Sequence, residues 1–157
     1  MDWRPGATEA SLRQRAALLK DIRRFFEARD VLEVETPLLA AAPVTDPHIE
    51  ALPVPHPCGA GQLWLQTSPE YAMKRLLAAG VGAIYQICKA LPKDEAGSRH
   101  NPGCLMLEWI RPRFDLQQLQ AETLELLTQV LGERPVEVFS YAGAFQHFLK
   151  LDIATAS

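Results

Sequence analysis

Five prolines and two glycines fall between residues 40 and 62: Pro43, Pro47, Pro53, Pro55, Pro57, Gly59 and Gly61. Proline lacks a backbone donor and clashes with the preceding helical turn, so no helix crosses this stretch. Loop or edge-strand structure must therefore separate what lies on either side. It is long for a connection without structure of its own, which points to a functional loop or to short strands among the prolines. Before it, Leu12, Ala16, Leu19, Ile22 and Phe26 recur every three or four residues, predicting an amphipathic helix over about 11–29 with Ser11 as its cap. Val31 to Glu35 then alternates as a strand that Thr36-Pro37 ends.

After the proline-rich stretch, Leu63-Trp64-Leu65-Gln66 reads as a strand. Thr67-Ser68-Pro69-Glu70 reads as a helix start in which Ser68 caps, Pro69 fits the first turn and Glu70 meets the positive dipole end. That helix stops at Gly80. Ala83–Cys88 and Cys104–Arg111 form a hairpin with a long charged loop. Asp115 caps a helix with Leu116, Leu119, Thr123, Leu126, Leu127 and Val130 on one face and Gly132 as its stop, and Ser140 starts a last helix carrying Phe145, Phe148 and Leu149. This order gives an α+β fold in one domain over 1–157.

The 157 residues are 48% hydrophobic and 22% charged with a net charge of −3, so no basic excess suggests bulk binding to nucleic acid. No run of 18 apolar residues exists, and Met1–Gly6 lacks the apolar segment of a secretory leader. Cys58, Cys88 and Cys104 make no close pair, which suits a reducing compartment; the expected location is the cytoplasm. Asp46, His48, His56 and Cys58 match no zinc spacing, so no metal site is expected. Gly80-Val81-Gly82 precedes a strand, the wrong order for a dinucleotide fingerprint. Two carboxylates invite chemistry. Glu70 sits on the first turn of a helix after a strand, and Glu108 sits among apolar strand residues, where it needs a cation or pays for burial.

The stretches around these carboxylates resemble the catalytic domain of class II aminoacyl-tRNA synthetases of the lysine type. More closely, they are similar to the GenX-type lysyl-tRNA synthetase paralogues that attach (R)-β-lysine to a lysine of elongation factor P. The resemblance rests on Ile22–Phe26 with Val31–Pro37 (motif 1), Val44-Thr45-Asp46, Leu63–Leu65, Thr67–Tyr71 with Met73–Leu77, and His100-Asn101-Pro102 with Met106–Trp109 (motif 2). It implies an antiparallel sheet flanked by helices, ending before the glycine-rich motif 3. It also implies an AMP-forming ligase that uses ATP and Mg²⁺, with elongation factor P as partner.

By the resemblance, Ser68, Pro69 and Glu70 hold the amino acid with the Glu70 carboxylate on its amine, Glu108 takes the lysine-like ammonium, and Asn101 contacts ATP. Pro37, Phe25 and Phe26 lie at a homodimer interface. Lysine or (R)-β-lysine is the implied small molecule, with neither a tRNA-binding domain nor a membrane involved. A true lysyl-tRNA synthetase is the weakest fit, because only about ten residues precede the first helix, too few for a domain. The chain departs from the family at Leu91-Pro92-Lys93-Asp94, where a Phe-Arg-Asn-Glu run is expected. It departs again at Gly103-Cys104 in place of Glu-Phe and at Ile110 in place of tyrosine. The alternative is a non-catalytic, dimerising module that keeps the amino-acid half-site.

Overall fold

The computed structural model describes residues 3–91 and 103–155. The first helix, α1, spans Glu9–Glu27. Its cap is Thr8, three residues before the expected Ser11: Thr8 Oγ1 accepts the Ser11 N–H at 3.2 Å, and the Ser11 hydroxyl turns back to Thr8 O at 2.8 Å. The cap moves because Glu9 then enters the first turn, where it meets the positive end of the helix and pairs with Arg13 at 2.7 Å. At the other end the Asp30 N–H bonds Glu27 O and the Val31 N–H bonds Phe26 O, with Asp30 at φ 53°. That is the left-handed helix terminator in which glycine is usual and aspartate is tolerated.

The predicted strand after α1 shrinks to β1, Leu32–Glu33. The proline-rich stretch holds β2 (Leu39–Ala40) and β3 (Pro53–Pro55), both antiparallel to β4 (Gln62–Leu65) in the order β2-β4-β3. Pro53 and Pro55 are accommodated because β3 is an edge strand. Helix α2 (Glu70–Ala78) leads into β5 (Ile84–Ala90), which forms a seven-residue antiparallel pairing with β6 (Cys104–Ile110). The expectation of an antiparallel sheet fails at β1, which runs parallel to β5 with Leu32 opposite Ile84. The helix terminator at Asp30 sends the chain back along β5 in that direction, so this sheet is mixed, in the order β1-β5-β6.

Gly103 enters β6 at φ 83°, and a Cβ there would lie 2.6 Å from Leu91 Cδ2. The glutamate expected from the family is thus replaced at a position where this backbone favours glycine.

Helix α3 (Leu116–Leu131) opens with a capping box between Asp115 and Gln118 and closes at Gly132, as predicted. Its buried residues are Glu122 and Leu126, while Leu116 and Leu127 are exposed, so the buried face is narrower and rotated from the predicted stripe. Ser140 caps α4 (Tyr141–Leu149), where no residue is buried.

Alternation along the hairpin sends Tyr85, Ile87, Leu107 and Trp109 toward α1 and α3, where they pack with Phe25, Phe26, Val31 and Leu126. Phe26 stacks on Tyr85 with ring centroids 4.4 Å apart. Phe25 and Phe26 are therefore spent on the chain's own core, at 2% and 0% exposure, which corrects their assignment to a dimer interface. Adjacent positions on a helix are both buried here because α1 lies in the angle between the sheet and α3.

A polar triad borders this core. Arg23 Nε donates to both oxygens of Glu33 at 3.1 Å, and the Tyr85 hydroxyl donates to Glu33 at 2.8 Å. Burial pushes the Glu33 carboxyl up, but the hydrogen bonds from Arg23 and Tyr85 outweigh it and hold the group below its ordinary value. A lowered folded value stabilises the fold above the unfolded pKa of about 4.3, and that contribution disappears as pH falls through the folded value. Tyr85→Phe keeps the ring stack and removes one donor. Its destabilisation, measured by urea unfolding, should be larger near pH 6 than near pH 3. An equal gap at both pH values would contradict this account.

Candidate amino-acid site

The other face of the hairpin carries Ile84, Gln86 and Cys88 opposite Ile110, Glu108 and Met106. Among the described residues no cation forms an ion pair with Glu108, although its charge is felt by Lys74. The Glu108 carboxylate Oε1 accepts a hydrogen bond from the Ser68 hydroxyl at 2.6 Å, across 40 residues of sequence. Ser68 Oγ also accepts the Glu70 backbone N–H at 3.0 Å. The N-cap position itself belongs to Pro69, which is fully buried, with Glu70 as the first helical residue. Ser68 thus ties the start of α2 to the middle of β6. The Glu108 charge is felt across the hairpin: burial pushes the Cys88 thiol up, and Glu108 adds to the rise.

Glu70 projects from the first turn of α2 and pairs with Lys74 at 2.6 Å. The Glu70 hydrogen bond and charge raise Lys74 above its ordinary value, with a smaller contribution from Glu108. An open cleft of about 410 Å³ follows β6, the edge of its sheet among the described residues, and is lined by Glu70, Lys74, Glu108, Trp109 and Ile110. A smaller recess of about 90 Å³ is lined by Ser68, Pro37 and Val44 and shares Glu70 with the cleft. There Thr45 Oγ1 and Tyr71 Oη lie 2.8 Å apart, pinning the proline-rich loop to α2.

The structure therefore brings together Ser68, Pro69, Glu70, Glu108 and Ile110. Pro92, Lys93, Asp94 and Asn101 lie outside the described residues. A larger cleft, about 580 Å³, opens beside Arg23, Glu33, Glu35 and Lys89, but Arg23 and Glu33 are already paired with each other. Sequence reasoning passed over Gln86, which is buried directly across from Glu108. A lone amide in an apolar strand, in register with a carboxylate, was its signal.

A protein-family model described as class II tRNA synthetases (D, K and N) matches residues 1–154. The chain belongs to that family. It is 52% identical to the elongation factor P (R)-β-lysine ligase of Pseudoalteromonas translucida, over 99% of this chain and 49% of that protein. It is 49% identical to the ligase of the same name from Mannheimia succiniciproducens and 46% identical to that from Salmonella paratyphi B, in each case over 98% of this chain and 49% of the relative. The chain spans about half the length of these relatives. Among the described residues, no helix is long and apolar enough to cross a membrane.

Proposed function

We propose that this chain carries the diamino-acid-recognising part of an elongation factor P (R)-β-lysine ligase. Two carboxylates on one cleft wall, Glu70 on the helix start and Glu108 on the strand, support this reading most directly. A substrate with two ammonium groups and one carboxylate needs two separated anions to hold it at both ends. The amine nearest the substrate carboxylate goes to Glu70 and the terminal ammonium to Glu108. Fixing both ends aims the substrate carboxylate for activation. The reaction served is the activation of (R)-β-lysine and its transfer to a lysine of elongation factor P.

ATP and Mg²⁺ are the implied co-reactants, and three arginines around the hairpin are already committed to carboxylates. Arg23, Arg29 and Arg111 are spent on Glu33, Glu125 and Glu122. Lys89 lies on the face of the hairpin opposite Glu108, whose own face offers Gln86, Cys88, Met106 and Cys104. Position 92, where the family pattern has its phosphate-gripping arginine, is proline.

Calorimetric titration tests the amino-acid half. The chain should bind (R)-β-lysine at least about tenfold more tightly than 3-aminohexanoic acid, which lacks the terminal ammonium. Equal affinities would overturn the reading. The ligand's amine must also displace Lys74 from Glu70. Because that pair is exposed and weak, Lys74→Met should tighten (R)-β-lysine binding by roughly two- to fivefold at low salt, and less at high salt. Weaker binding by the variant would show that Lys74 assists the ligand instead of competing with it.

A further inference from the structure

Hollows run in series past the start of α2. The cleft that holds Glu70 and Glu108 shares Glu70 with the 90 Å³ recess, and that recess shares Pro43 and Val44 with an open hollow of about 460 Å³ on the proline-rich loop. The contact between Thr45 Oγ1 and Tyr71 Oη, at 2.8 Å, sets this loop against the residue next to Glu70. The middle recess has room for about three waters, too little for a second diamino acid. Its edge of Pro37, Ala42 and Val44 suits a methylene stem. The outer hollow is lined by Asp46, Glu50 and Trp64, and no lysine, arginine or histidine lines it among the described residues. Asp46 is exposed, and its carboxylate accepts the His48 N–H of its own loop at 2.9 Å.

We infer that this row of hollows is the docking surface for the acceptor of the aminoacyl group, a basic, lysine-bearing loop of a second protein. The inference rests on the function proposed above and adds the side from which the acceptor arrives. With the terminal ammonium of the substrate on Glu108 and its other amine on Glu70, the substrate carboxylate lies at the Glu70 end of the cleft. An acceptor amine has to reach that carboxylate, and the middle recess adjoins the cleft at Glu70. The recess takes the four-carbon stem of the acceptor lysine. In the outer hollow Asp46 takes a cationic side chain that flanks it, and Trp64 lines the same space, where an aromatic ring also attracts a cation. Charge selects this occupant: an exposed carboxylate with no cationic partner among the described residues favours a basic segment over an acidic or neutral one.

Calorimetric titration of the chain with purified elongation factor P at low salt tests the inference. Asp46→Asn should weaken acceptor binding by about three- to tenfold and Asp46→Lys by more than about tenfold, while (R)-β-lysine affinity stays within about twofold in both. Asp21→Asn, which removes an exposed carboxylate on α1, should change acceptor binding by less than about 1.5-fold. Carbodiimide coupling joins a carboxylate to an amine in direct contact. It should link Asp46 or Glu50 to a lysine of the acceptor, as mapped by mass spectrometry of the peptides. Equal losses in Asp46→Asn and Asp21→Asn, unchanged acceptor affinity in Asp46→Lys, cross-links confined to other carboxylates, or no acceptor binding by the unaltered chain would each overturn the inference. Binding of (R)-β-lysine by the unaltered chain decides the functional reading separately. If (R)-β-lysine binds and the acceptor does not, only the docking surface falls. Acceptor binding that depends on Asp46, without any binding of (R)-β-lysine, would keep the surface and remove the amino-acid reading.

Discussion

Replacing Glu122 with alanine is expected to cost about 3–5 kcal/mol of folding stability, the usual penalty for stranding the partner of a buried ion pair. Glu122 is 5% exposed on the inner face of α3. Its Oε2 accepts the Trp109 indole N–H at 3.1 Å, and its Oε1 lies 3.3 Å from Arg111 Nε, an ion pair without hydrogen-bond geometry. Arg29 approaches the same carboxylate at 3.9 Å while bonding Glu125 at 2.6 Å and covering the Phe25 ring at 3.5 Å. One carboxylate on α3 thus reaches both β6 and the turn that follows α1. Without it, a largely buried guanidinium loses its counter-charge and an indole donor loses its acceptor together. Arg29 keeps Glu125 and is not stranded, which places the cost within the stated range and not above it. Glu122→Gln retains an acceptor for Trp109 and should cost less than half as much. Urea unfolding of the three proteins measures this, and a loss below about 1 kcal/mol for the alanine variant would contradict the account.

The second large effect concerns binding. Glu108→Gln should weaken (R)-β-lysine by about 10- to 100-fold, equivalent to the 1.5–3 kcal/mol of a charge-assisted hydrogen bond. The amide oxygen still accepts from Ser68, so the local geometry survives and the loss reports charge. Affinity for 3-aminohexanoic acid should be nearly unchanged, because that ligand offers nothing to Glu108. If both ligands lose affinity equally, Glu108 is supporting the structure and not reading the terminal ammonium.

Much of this was legible in the sequence because local rules and tertiary packing agreed. Asp115 with Gln118, Ser140, Gly132 and the prolines of β3 each satisfy a backbone requirement that any fold would impose. The long β5–β6 pairing was legible from two strand-like runs joined by a polar stretch, and it fixes Glu108 opposite Gln86. The parallel approach of β1 was not legible, since two paired residues carry too little pattern to state a direction. Glu122 escaped for a different reason. It lies three residues after Leu119 and four before Leu126, on the apolar stripe itself, but Thr123 was counted there instead. A charged residue at a core position of a helix was the available signal, and its partners Arg111 and Trp109 come from a strand that only folding brings near. The link from Ser68 to Glu108 was likewise beyond any local rule. Each residue had a reading of its own, as a cap and as a strand carboxylate, and only folding brings the Ser68 hydroxyl onto Glu108.

The most direct measurement is a crystal structure of the chain with (R)-β-lysine bound. The terminal ammonium should lie within hydrogen-bond distance of the Glu108 carboxylate, with the other amine on Glu70, Lys74 displaced, and the Ser68 hydroxyl still on Glu108. A ligand seated instead in the larger cleft beside Arg23 and Glu33, with Glu70 still paired to Lys74, would contradict the account.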